Sequence, residues 1–159
     1  MSSNAVTISQ ATSDQDIAQV KQIFLEYLEF IESYLGESLG FQGTEQEFKT
    51  FPQAYDVLYL AKVKGAPAAA CGVKPFKPGI CELKRLYCRP SGRGHALGLK
   101  LTQSAIGFAK KAGYTQMYLD TDRGLTHANK IYEGLGFIDI ERYYDNPMGC
   151  SRYMALKLS

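Results

Sequence analysis

A chain of 159 residues, 45% hydrophobic and 21% charged, has the length of one domain and enough apolar content to bury a core without disulfides or a structural metal. Its 18 Lys plus Arg against 16 Asp plus Glu leave a net charge of +2; with no basic run, nucleic acid is not an expected partner. Residues 1–7 lack a basic region followed by an apolar run, and no apolar stretch reaches the ~20 residues of a membrane span. The cysteines Cys71, Cys81, Cys88 and Cys150 form no Cys-x-x-Cys pair, and the histidines are His95 and His127. Neither zinc nor disulfides are expected, and the reading is a single cytoplasmic domain over residues 1–159.

In chain order, residues 5–10 read as a short strand. Ser13 then offers a helix N-cap, with Asp14 and Asp16 in the first turn, where negative charge suits the helix dipole. Ile17, Val20, Phe24, Tyr27, Leu28, Ile31 and Leu35 recur at helical spacing as a core-facing stripe, closed by Gly36. Residues 36–53 read as a loop with a short second helix around Phe48. Strands at 57–63, 68–73 and 80–88, separated by turns at 64–67 and 75–79, form an antiparallel meander. A glycine-rich loop at 89–94 runs into a helix near 96–112 with the stripe Leu97, Leu101, Ala105, Phe108, Ala109 and Ala112, closed by Gly113. A strand at 114–121 follows, so strand, loop, helix and strand make a βαβ crossover with parallel strands. A helix near 125–135 ends at Gly136, and strands near 137–143 and 150–158 finish the chain. This order predicts an α/β fold (α+β mixed): a mixed sheet with helices on both faces.

The stretch that carries chemistry is Leu86-Tyr87-Cys88-Arg89-Pro90-Ser91-Gly92-Arg93-Gly94-His95-Ala96-Leu97-Gly98. Backbone N–H groups at a helix start have no partner within the helix, and the dipole adds partial positive charge. Glycine lets a phosphate approach the backbone, and Arg93 adds a fixed charge. The pattern predicts an anion site suited to phosphate. No Gly-Lys-Ser/Thr follows, so it is not a P-loop. It is a poor dinucleotide fingerprint too, since its strand belongs to an antiparallel meander. A tight turn with no ligand is the alternative.

The run Arg93-Gly94-His95-Ala96-Leu97-Gly98 resembles the coenzyme A pyrophosphate loop of the GNAT N-acetyltransferase superfamily: Arg or Gln, two residues, Gly, one residue, then Gly or Ala. Ala96 stands where the first glycine is usual. Leu86-Tyr87-Cys88-Arg89-Pro90 resembles the end of that superfamily's fourth strand. Ala128-Asn129-Lys130-Ile131-Tyr132-Glu133-Gly134-Leu135-Gly136-Phe137 resembles its C-terminal motif, although Leu125 stands seven residues before Tyr132, where many members carry asparagine. Phe41-Gln42-Gly43, Cys81-Glu82-Leu83-Lys84-Arg85-Leu86-Tyr87, Leu119-Asp120-Thr121 and Tyr143-Tyr144-Asp145-Asn146-Pro147 resemble a bacterial subgroup of largely unassigned substrate. The resemblance extends over nearly the whole chain.

The resemblance implies the GNAT fold, a mostly antiparallel sheet of about six to seven strands with helices on both faces and a splayed parallel pair between strands 4 and 5. It implies acetyl-CoA (coenzyme A) as cosubstrate, no metal, and the primary amine of a small molecule or peptide as acceptor, attacking directly in a ternary complex. Leu86, Tyr87 and Cys88 would pair with pantetheine, and Arg93, Gly94, His95, Ala96, Leu97 and Gly98 would hold the pyrophosphate. An alkylamine of pKa ~10.4 is about 99.9% protonated near neutral pH, so a reactive amine costs about 4 kcal/mol, which a general base shares.

Tyr132 is the candidate acid for the leaving thiolate; the alternative is a packed helix tyrosine. Glu82 is the candidate base, because strand periodicity puts Glu82, Lys84, Leu86 and Cys88 on one face and burial would raise its pKa; the alternative is a surface carboxylate paired with Lys84 or Arg85. Cys88 has no histidine arranged to make it a nucleophile. His127 reads as a solvated helix residue, and Asp120 and Asp122 read as helix caps. Arg142, Tyr143, Tyr144 and Asn146 read either as acceptor lining or as a strand-end turn. Lys84, Arg85, Arg142 and Arg152 would suit a carboxylate-bearing amine. Two rival functions stand beside the enzyme: a non-catalytic acyl-CoA sensor on the same fold, and a nucleotide-phosphate binding module. An edge-strand homodimer is left open.

Overall fold

A computed structural model describes residues 5–35, 48–144 and 151–158. Seven strands form one sheet in the order β1-β2-β3-β4-β5-β7-β6. They are β1 (Val6–Gln10), β2 (Val57–Val63), β3 (Ala66–Lys77), β4 (Ile80–Cys88), β5 (Gln116–Asp122), β6 (Ile138–Asp139) and β7 (Ser151–Lys157). The helices are α1 (Asp14–Leu35), α2 (Leu97–Lys111) and α3 (Thr126–Gly134). Every strand pair is antiparallel except β4–β5, the pair joined through α2. The expected mixed sheet and its single parallel crossover are present.

Alternation along the strands divides the core in two. Tyr59, Ala61, Ala69, Cys71, Val73, Cys81 and Leu83 face α2, whose Leu97, Leu101, Ala105 and Ala109 are buried against them. Leu58, Leu60 and Ala70 face the opposite way, onto Val20, Ile23 and Phe24 of α1. Each large aliphatic or aromatic side chain buried in this way contributes about 1.5–3 kcal/mol. Ile17, Val20, Phe24, Tyr27, Leu28 and Ile31 of the expected α1 stripe face the core with Ile23 added, and the Leu35 side chain lies outside what is described; the Ser13 hydroxyl accepts from the Asp16 N–H at 3.1 Å, as a cap should. In α2 the stripe gains Thr102, whose hydroxyl donates to the Gly98 carbonyl at 2.7 Å, and loses Ala112, which is exposed.

Three element boundaries differ from the sequence reading. The β2–β3 turn is two residues, Lys64 and Gly65, both at positive φ (52° and 83°), the hairpin geometry that continues strand twist; Ala66 and Pro67 already pair with β2. The segment read as a turn at 75–79 is mostly strand: Pro75 lies opposite Cys81 beside a register shift, a place where a residue without an N–H is tolerated, and the chain turns only at Pro78-Gly79. The strand expected at 137–143 pairs with β7 only at Ile138 and Asp139, plus the Ile140 N–H to the Tyr153 carbonyl at 2.9 Å. It then leaves the sheet edge, carrying Tyr143 and Tyr144 across β7. The predicted Gly36 stop, Phe41-Gln42-Gly43, Asp145-Asn146-Pro147 and Cys150 lie outside the described residues, as does most of the second helix near Phe48. No described helix is long and apolar enough to cross a membrane.

Candidate active site

β4 and β5 pair only over Ile80↔Gln116, Cys81↔Met117 and Glu82↔Tyr118. β4 continues six residues further to Cys88, still bonded to β3, and β5 continues to Asp122, bonded to β7. Among the described residues, the inner edge of β4 from Leu83 onward has no strand paired with it and faces an opening that could take an extended ligand as a strand would be taken.

Within that half of β4 the register shifts. β3 advances from Gly72 to Ala70 while β4 advances from Lys84 to Tyr87, and Arg85 holds a left-handed φ of 61°. This is a β-bulge, one residue extra on β4. It reverses the facing of everything after it. Glu82 and Lys84 point away from α2. Leu86 and Cys88 pack with the α2-side core, and Tyr87 turns to α1, 5.7 Å from Tyr27 and 5.8 Å from Phe30 between ring centroids. The expectation that Glu82, Lys84, Leu86 and Cys88 share one face is therefore corrected: the period of two holds only up to Arg85.

The strand end is tied down before the loop begins. Arg89 makes a bidentate pair with Glu26 of α1 (2.7 and 2.8 Å) and donates to the Pro67 carbonyl at 3.1 Å. The guanidinium holds the Glu26 carboxyl below its ordinary range. A 3-10 turn at Pro90–Gly92 follows. Its Gly92 is packed so tightly that a Cβ would lie 2.9 Å from Ala68 Cβ and Leu97 Cδ1. Gly94 and Ala96 then take positive φ (90° and 55°), which points successive backbone dipoles the same way. Among the described residues, the N–H groups of 94–99 have no acceptor. Arg93 and Gly94 are exposed beside them, and His95 is half-buried. Ala96 thus occupies a glycine-type conformation without a glycine. Gly98 faces α3, where a Cβ would sit 3.2 Å from Ile131 Cδ1, so its smallness serves helix packing.

Tyr132 projects from α3 into the core, 6% exposed, edge-on to Phe137 at 5.7 Å. Burial pushes its phenol well above the ordinary range, with Tyr27, Cys71 and Asp120 adding to the effect; a phenol in this setting stays a proton donor at neutral pH. Leu125, which replaces the usual asparagine, packs on Leu28 and Ile31 of α1. Cys88 is half-buried and burial raises its thiol pKa, with Arg93 opposing. That keeps the sulfur protonated, so a nucleophilic role gains no support. His127 is exposed on α3.

Glu82 is 9% exposed and accepts a hydrogen bond from the Tyr143 hydroxyl at 2.8 Å. Lys84, offered as its partner from sequence, instead lies 3.5 Å from Asp120 on β5, and Tyr144 donates to the other Asp120 oxygen at 2.7 Å. Phe76, Tyr118, Tyr143, Tyr144 and Tyr153 surround these carboxylates, with centroids 5.0 Å apart for Phe76–Tyr143 and Tyr118–Tyr143 and 5.6 Å for Tyr143–Tyr144 and Tyr144–Tyr153. Asp120 does not cap a helix, which corrects the sequence reading. Asp122 accepts from the Gly124 N–H at 2.8 Å within a turn, and the N-cap position of α3 is Leu125. Sequence reasoning missed Phe76, Tyr118, Asp120 and Tyr153 as members of this cluster. The alternation Tyr118-x-Asp120 on β5 was the available signal.

Of the bases thought to favour an acidic acceptor, Lys84 is committed to Asp120, and Arg152 to Glu133 (2.8 Å) and Asp139 (2.6 Å) on the α3 side of the sheet. Among the described residues, no group of three or more His, Cys, Asp or Glu is arranged to hold a metal ion.

Comparison with known proteins matches residues 18–137 to the acetyltransferase (GNAT) family. An uncharacterized N-acetyltransferase of Schizosaccharomyces pombe is 34% identical, with 100% of this chain and 99% of that protein covered. The fold is shared with an acetyltransferase of Streptococcus agalactiae (TM-score 0.77, 21% identity, 96% and 98% of the two chains covered). It is shared too with the Salmonella typhimurium protein yncA, solved with its cofactor acetyl-CoA (TM-score 0.68, 16% identity, 98% and 95% covered).

Proposed function

Because this chain belongs to the GNAT acetyltransferase family, we propose that it moves the acetyl group of acetyl-CoA to a primary amine by direct attack within a ternary complex. The observation that carries this reading is the opening between β4 and β5, with free N–H groups at its outer end and a buried phenol and a buried carboxylate on either side of the sheet. Residues 94–98 hold the pyrophosphate through backbone N–H groups, and Arg93, whose own N–H is bonded to the Pro90 carbonyl, adds side-chain charge. The β4 edge around Leu86, Tyr87 and Cys88 pairs with pantetheine, which brings the thioester toward the bulge.

The acceptor arrives as an ammonium and must lose a proton before it attacks. Glu82 takes that proton and passes it to water. The amine nitrogen then bonds to the thioester carbon as the carbon–sulfur bond breaks. The nitrogen's second proton ends on the departing sulfur by relay through Tyr132, whose hydroxyl gives its proton to sulfur as it takes the one leaving nitrogen. Both tasks fall to groups that packing holds in place, which suits direct transfer without an acyl-enzyme.

The test has two parts. Acetyl-CoA in excess should raise thermal stability by about 2.7 kcal/mol at 100 times its dissociation constant, and ATP should not substitute. Release of free thiol should then depend on an added amine. A melting shift with no thiol release for any amine would reduce the protein to an acyl-CoA sensor; no shift at all would remove the cofactor site.

A further inference from the structure

The cluster on the far side of β4 and β5 says what kind of amine enters. Resting on the acetyl-transfer reading, we propose that Phe76, Tyr118, Tyr143 and Tyr144, arranged around Glu82 and Asp120, form an acceptor subsite for an alkylammonium group with no carboxylate next to it. The argument starts from an imbalance of charge. A carboxylate as buried as Glu82 is costly unless a cation or several donors face it, and the described partner of Glu82 is one neutral hydroxyl, that of Tyr143. Three of the nearby cations are engaged elsewhere. Lys84 lies against Asp120. Lys74, which stands opposite Glu82 in the β3–β4 register, has its ammonium 5.5 Å from the Tyr55 ring centroid. Arg152 is on the other face of the sheet.

The rings make a second, independent case. Four half-buried aromatic side chains from β3, β5 and the segment after β6 meet at one place, their centroids 5.0 to 5.9 Å apart. Rings set at angles of 44° to 61° do not stack face to face, and an aromatic face attracts a cation placed against it. Phe76 already does this for Lys77, whose ammonium is 5.3 Å from its centroid. An acceptor bearing its own carboxylate would bring that charge against Glu82 and Asp120, where like charges repel. The subsite therefore selects simple alkylamines and diamines over amino acids of equal length.

The experiment separates charge from shape and binding from turnover. Choline is titrated into the protein against its uncharged isostere, in which the quaternary nitrogen is replaced by carbon, with calorimetry or tyrosine fluorescence as the readout. Choline should bind at least about tenfold tighter, the worth of roughly 1.4 kcal/mol of cation–ring and cation–carboxylate attraction. It should also compete with the amine in thiol release. Asp120→Asn, which keeps shape, and Tyr118→Leu should each erode that preference, and kcat/KM for butylamine should exceed that for 4-aminobutyrate by a similar factor. Equal affinity for choline and its isostere, or preference for the amino acid, overturns the proposal. The acetyl-CoA melting shift on the same preparation decides the reaction separately: its absence sinks acetyl transfer, while the choline comparison still decides the cation subsite.

Discussion

The two ends of the β4–β5 opening are built in opposite ways. At the outer end, under the proposed function, residues 94–98 would work through consecutive backbone N–H groups, and the side chains mainly set conformation: Gly94 and Ala96 by positive φ, Gly98 by giving α3 room. At the inner end the groups proposed to work are side chains, and they come from β3, β4, β5 and the segment after β6. A backbone-made site tolerates change in side-chain chemistry but not in dihedral angle. A side-chain-made site responds in the opposite way. One fold can thus keep its cofactor end while its acceptor end is rewritten.

Mutation can break that contrast. The largest effect is expected for Glu82→Gln, which keeps shape and removes basicity: turnover at neutral pH should fall by about 10²–10⁴ and partly recover at high pH, where more of the amine is neutral. A pH–rate profile that overlies the wild type along the acidic limb would acquit Glu82. Tyr132→Phe should lower turnover toward the lower part of that range while leaving coenzyme A affinity unchanged. Burial holds the Tyr132 phenol above its ordinary range, so it remains a donor and contributes no alkaline loss of rate below about pH 10. Unaltered single-turnover rates in that variant would assign Tyr132 to packing. At the other end, Arg93→Ala should raise the coenzyme A dissociation constant by about tenfold, the scale of one charge-assisted hydrogen bond. A loss of a thousandfold would mean the loop relies on side-chain charge after all. The smallest effect is expected for Ala96→Gly. Relief of the left-handed penalty, partly offset by chain entropy, should stabilise the protein by about 0.5–1 kcal/mol, seen as a rise of a few degrees in Tm.

The same contrast explains what could be read from the chain. The proposed outer site is contiguous, so Arg93 to Gly98 displayed it in one line, and the helical stripe of α2 gave its support. The fold was legible for a related reason: strand, loop, helix and strand in sequence allow one handed crossover. The inner site was half hidden. Phe76 sat in Pro75-Phe76-Lys77-Pro78-Gly79, whose two prolines and glycine read as a turn, while the sheet absorbed Pro75 at an irregularity. Asp120 stood just before a helix and read as a cap until β5 was set beside β4 and β7. Tyr153 could be assigned only from its register opposite Asp120. The bulge at Arg85 left no trace in composition, because arginine has no special liking for positive φ; only the pairing with β3 reveals it.

That bulge makes β4 a strand whose residue count matters more than its length. Excising Arg85 would shorten the strand by a few ångströms at most and restore a plain period of two, with Lys84 still opposite Gly72, Tyr87 still opposite Ala70 and Leu86 and Cys88 still toward α2; flattening the bulge with Arg85 kept would instead drive Leu86 and Cys88 toward α1 and Tyr87 into the apolar layer under α2. A substitution in β4 edits one contact, whereas a one-residue change of count that the bulge does not absorb would turn half the strand over. A chimera that borrows this strand keeps its facing with Arg85 and the bulge together or with neither, but not with one alone.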